Sequence, residues 1–72
     1  MSVLAIIQER TYKRLIQTTA ECVSWASVEG TSLIVLRQRL IQTEQQAEKV
    51  GLSRENIRLA LQMGEYQGRF GM

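Results

Sequence analysis

The stretch TEQQAEKVGLSRENIRLALQ, Thr43 to Gln62, decides the fold. Gly51 can adopt the left-handed conformation that ends a helix, and Leu52 can fold back onto the helix it follows. Ser53 offers a hydroxyl to the first free amides of the next helix. Ala47 is small where the first helix must let the second come close, while Ile57 and Ala60 fall on the inner face of the second. The segment therefore reads as helix, tight turn, helix, with the last helix running from Ser53 to about Gln62.

Upstream, Leu33, Leu36, Leu40, Ala47 and Val50 recur at three- and four-residue steps with Thr43 in the gap. Thr43-Glu44-Gln45-Gln46 fits a capping box that could begin a separate helix, yet no Gly or Pro forces a break, so one helix or two remain open for 32–50. Glu29-Gly30-Thr31-Ser32 interrupts the pattern: Gly30 can end a helix and Thr31 or Ser32 can begin one. From Ser2 to Glu29 there is neither Gly nor Pro, and Leu4, Ala5, Tyr12, Leu15, Ile16, Thr19, Cys22, Val23 and Ala26 follow helical spacing. The opposite face carries Glu9, Arg10, Lys13, Arg14, Gln17 and Glu21, whose i,i+4 pairs Glu9–Lys13 and Gln17–Glu21 suit a solvated surface. The expected fold is all-α: a small helical bundle in which a long N-terminal helix forms an antiparallel hairpin with a second helix, and a short C-terminal helix packs across its end. Residues 1–62 form a single domain, with the helix-turn-helix-like unit at 43–62. Residues 63–72, with glycines at Gly64, Gly68 and Gly71, are expected to form a flexible tail from which Tyr66 and Phe70 can dock.

A chain of 72 residues is one domain at most, and a domain of this size buries only about 60% of its unfolded surface. Cys22 is the only cysteine and histidine is absent, so neither a disulfide framework nor a zinc site can staple the fold. Oligomerisation or good helix packing must do so instead. Ile6, Ile7, Ile34, Val35 and Ile41 exceed what one inward stripe can bury and are expected to form a homodimer or heterodimer surface. Tyr12 and Trp25 read as core or dimer anchors, and Cys22 as an inert thiol on the inner face, with no histidine to activate it. Glutamates alone could do acid–base work and none is placed beside a nucleophile, so no enzyme activity, cofactor, metal or small-molecule substrate is expected. The apolar runs Val3–Ile7 and Leu33–Leu36 are far shorter than the roughly 20 residues of a membrane span. A lone cysteine and the lack of a secretory-type N-terminus lead to the expectation of a cytoplasmic protein. The net charge of +2 permits nucleic-acid binding without requiring it.

Gly51-Leu52-Ser53-Arg54-Glu55-Asn56-Ile57-Arg58-Leu59-Ala60-Leu61 resembles the helix-turn-helix motif of GntR-type bacterial regulators. The resemblance spans residues 43–62. It implies a dimeric DNA-binding transcription regulator in which Ser53 and Asn56 lie near phosphates and Arg54 and Arg58 face the major groove, with Gln62 completing the DNA-facing set. Gln46 stands where that family has an apolar residue, no β wing follows Leu61, and the N-terminal helix differs. Glycine cap, serine cap and helix are also a common way to join any two helices. The alternative is a non-enzymatic protein–protein interaction module such as an antirepressor, a secretion co-chaperone or an assembly adaptor.

Overall fold

The structure, a computed structural model, describes residues 2–25 and 31–71, side chains excepted at 31–33. The described residues form three helices and no strand: α1 (Val3–Ser24), α2 (Thr31–Lys49) and α3 (Arg54–Phe70). The expected turn at Gly30 lies outside the described residues.

Ser2 caps α1, its hydroxyl accepting from the Ala5 amide at 3.1 Å. Glu9 and Lys13 pair at 3.3 Å on the solvated face, as their spacing predicts. α2 is a single helix. Thr43 lies in its interior, and its hydroxyl donates to the Arg39 carbonyl at 2.7 Å instead of capping a new helix. With no Gly or Pro to break the ladder, continuing it satisfies more backbone groups than restarting it would.

The Gly51 turn has the predicted form. Gly51 sits at φ +88°, and the Leu52 amide donates to the Ala47 carbonyl at 3.0 Å while the Gly51 amide donates to that of Glu48 at 3.1 Å. This is the Schellman pattern, which satisfies the last carbonyls of α2. Gln8 of α1 adds to it by donating its side-chain amide to the Val50 carbonyl at 2.7 Å. Ser53 then caps α3 by accepting from the Asn56 amide at 3.1 Å. Gly51→Val is expected to destabilise the fold by about 1–3 kcal/mol because a β-branched residue is strained at positive φ. Gly51→Asn should cost markedly less, since Asn tolerates that region. The Cβ of either would stand 3.3 Å from Gln8 Nε2, a flexible side-chain end that can shift, so strain separates the two variants. Urea denaturation midpoints of both variants check this; equal midpoints would contradict the strain argument.

α2 runs antiparallel to α1, giving the expected hairpin, since its C-terminal end meets Gln8 near the start of α1. The third helix differs from expectation. It is 17 residues long and extends through Phe70, so the stretch expected to be a tail is helical. It also lies along α1, parallel to it, and does not pack across the end of the hairpin: Gly64 abuts Ile16 and Thr19, Gly68 abuts Ala20 and Val23, and Ser24 Oγ donates to the Gly68 carbonyl at 3.4 Å. Ala60, Gly64 and Gly68 recur every four residues and form a smooth strip on which α1 can approach closely. α1 is thus the central helix, packed against both neighbours, whereas α2 and α3 touch very little.

Candidate interaction surface

Because α2 and α3 share only a small contact, the fold encloses little. Among the described residues the fully buried core consists of Leu15, Ala47 and Ala60, with Tyr12, Ile16, Leu52, Ile57 and Leu61 packed partly buried against it. Leu15 is the one large side chain that is fully enclosed among the described residues. Much of the remaining interior is threonine. Thr11, Thr18 and Thr19 of α1 and Thr43 of α2 are buried, and each hydroxyl donates to the carbonyl four residues earlier at 2.7–2.8 Å. Each polar atom is thereby satisfied within its own helix, leaving the methyl group for packing. Among the described residues no buried side-chain nitrogen or oxygen lacks a partner.

The apolar residues that this thin interior cannot hold lie outside. Twelve large hydrophobic side chains are exposed among the described residues, against the single fully buried Leu15. They include all five expected interface positions: Ile6 and Ile7 on α1, and Ile34, Val35 and Ile41 on α2. Ile34 and Ile41, seven residues apart, share one face of α2. Trp25, at the C-terminal end of α1, is also exposed, while Tyr12 is partly buried. Sequence periodicity missed a further set on α3: Leu59, Met63, Tyr66 and Phe70, all exposed, with the Tyr66 and Phe70 rings 4.7 Å apart. Their four-, three- and four-residue steps were a usable signal, hidden by reading the intervening glycines as a tail.

The residues expected to face DNA are Ser53, Arg54, Asn56, Arg58 and Gln62, and all are exposed. Ser53 and Asn56 are joined to each other through the cap. Arg54, Arg58 and Gln62 follow one another at four-residue intervals along α3, beside the apolar stripe. The inner positions of the motif, Ala47, Ile57 and Ala60, point into the core as expected.

Between α1 and α2 runs an open polar groove lined by Arg10, Arg14, Gln17, Arg39, Gln42 and Gln46, among others. Its side chains are cations, amides and threonines, with Glu21 the one carboxylate and Ile7 the one apolar residue. Cys22 is a free, partly buried thiol. Burial pushes its pKa up, the neighbouring Glu21 carboxylate adds to the rise, and Arg37 opposes it. A thiol so placed is more fully protonated at neutral pH than a free one, which disfavours nucleophilic chemistry. Among the described residues no three His, Cys, Asp or Glu side chains gather as metal ligands, and no helix is long and apolar enough to cross a membrane. Comparisons of the chain with family models, curated proteins and solved structures find no match.

Proposed function

We propose that this chain is a non-enzymatic helical interaction module that binds a helical protein partner through the apolar side chains of α1 and α2 that its own fold leaves open. The observation that carries this reading is the imbalance, among the described residues, between one fully enclosed large side chain and twelve exposed ones. A helix presenting exposed Ile34 and Ile41 at heptad spacing suits a helix-on-helix contact. Covering that surface would also supply the burial that a chain of this size lacks.

A dimeric DNA-binding regulator is the second reading, favoured by Arg54, Arg58 and Gln62 on the exposed side of α3 and by the motif-like turn at Gly51. The adaptor is preferred because Leu59, Met63, Tyr66 and Phe70 occupy the neighbouring face of that helix, where a groove-reading helix is served by groups that pair with phosphates and base edges.

Two measurements separate these readings. Affinity capture with the tagged parent chain and an Ile34→Asp/Ile41→Asp variant should yield a defined protein that the parent retains and the variant loses, with helicity by circular dichroism unchanged. Fluorescence anisotropy with duplex DNA at two salt concentrations tests the regulator. If the parent binds at low salt, and Arg54→Ala or Arg58→Ala lowers the salt slope by about one unit or relaxes base preference, the adaptor reading fails.

A further inference from the structure

The exposed stripe on α3 has a charge pattern that selects its occupant. Leu59, Met63, Tyr66 and Phe70 occupy alternating four- and three-residue steps, the spacing of a coiled-coil seam, and they are 44%, 45%, 65% and 66% exposed. Along one flank, Glu55, Gln62 and Arg69 follow at seven-residue intervals, all exposed. That flank is acidic at one end, neutral in the middle and basic at the other. We propose that α3 pairs antiparallel with α3 of a second copy of this chain about a two-fold axis near Leu61 and Gln62.

In that arrangement Glu55 faces Arg69 of the second copy, and Arg69 faces its Glu55, so the same attraction forms twice. Gln62 meets Gln62 at the centre. Along the seam Leu59 lies opposite Met63, and Tyr66 lies opposite Asn56, which offers its phenol a polar partner. A parallel pairing would instead set Glu55 against Ala60, which is enclosed in the core, and Gln62 against the uncharged Gln67, so only the antiparallel register uses the flank. Arg69 already pairs with its own Glu65 at 2.8 Å. Its guanidinium has five donors, so it can hold Glu65 and a facing Glu55 together. The two-fold axis closes the assembly at two chains. This pairing involves α3 alone and leaves the α1 and α2 residues of the adaptor reading open, so either can fail without the other.

Sedimentation equilibrium of the full chain tests it. The parent should populate a species of twice 8.2 kDa. Glu55→Arg and Arg69→Glu should each raise the dissociation constant by about tenfold or more, because each sets two like-charge pairs face to face. An equimolar mixture of the two variants should recover parental affinity as a mixed dimer, since one chain then carries both arginines and the other both glutamates. The mixture separates lost pairing from lost folding, because misfolded chains would not recover on mixing. A parent that is monomeric throughout, a dimer indifferent to both substitutions, or a mixture that fails to recover would each overturn the proposal.

Discussion

Leu15→Ala is expected to lower the stability of the fold by about 3–5 kcal/mol, the upper part of the range for truncating an enclosed aliphatic side chain. Leu15 is 0% exposed and sits where Ala47 of α2 and Ala60 of α3 both meet α1. Those two neighbours are alanines whose short side chains cannot swing in to fill a hole, so any closure must come from the partly buried Tyr12, Ile16, Leu52, Ile57 and Leu61 around them, and the cavity that remains adds its cost to the lost transfer free energy. At about 0.05–0.15 kcal/mol per residue, a domain of this length holds only a modest margin, of which this single change removes a large part. In thermal denaturation at fixed protein concentration, each kcal/mol shifts the midpoint by about 4–8 °C for a domain of this size, so a drop of at least about 12 °C is expected. Leu15→Met, which keeps the volume, should cost less than about 1.5 kcal/mol. A Leu15→Ala midpoint within a few degrees of the parent would show that the three helices do not share this core.

Gly64→Val is expected to cost about 3 kcal/mol, at the top of the usual range for overpacking. A Cβ at position 64 would stand 2.5 Å from the Ile16 carbonyl oxygen and 2.5 Å from Thr19 Cβ. Neither atom is the end of a flexible side chain, so relief requires α1 and α3 to move apart along their shared length. Gly64→Ala isolates the effect. Within a helix, alanine is favoured over glycine by about 1 kcal/mol, so an exposed site would gain stability from this change. Here the close approach of α1 should reverse the sign and leave Gly64→Ala less stable than the parent. Gly68, where a Cβ would lie 2.7 Å from the Ala20 carbonyl oxygen, should behave alike, and the two should not be additive because they widen the same interface. Gly71→Ala provides the contrast: nothing lies within 4 Å of its Cβ, so only strain at φ +69° opposes it. A gain in denaturation midpoint for Gly64→Ala would disprove the close α1–α3 contact.

The local features of this protein are legible in its sequence because they depend on residues within one or two turns of each other. The amphipathic period of α1 from Tyr12 onward, the left-handed Gly51, the Ser53 cap, the inward Ala47, Ile57 and Ala60, and the pair of Glu9 with Lys13 all follow from spacing and side-chain chemistry. So does the exposure of Ile6, Ile7, Ile34, Val35 and Ile41, since one stripe per helix can face inward and these residues lie off it. Leu4 and Ala5, placed by the same period on the apolar face of α1, are instead exposed because no neighbouring helix covers its first turn. The course of the chain after Gln62 could not be read in this way. Taken locally, Gly64 and Gly68 each disfavour a helix by about 1 kcal/mol, and with Gly71 close behind them a mobile tail is the natural expectation. In the fold, the missing Cβ atoms at Gly64 and Gly68 let the backbone of α3 lie against that of α1, and the contact offsets the local penalty. Only the tertiary structure decided that residues 63–70 are helical, that α3 runs beside α1 instead of across the hairpin, and that Leu59, Met63, Tyr66 and Phe70 form an exposed stripe. Glycine's local preference and its fit to a neighbouring helix act in opposite directions, and the second depends on residues some forty-five positions away in the chain, at Ile16, Thr19, Ala20 and Val23.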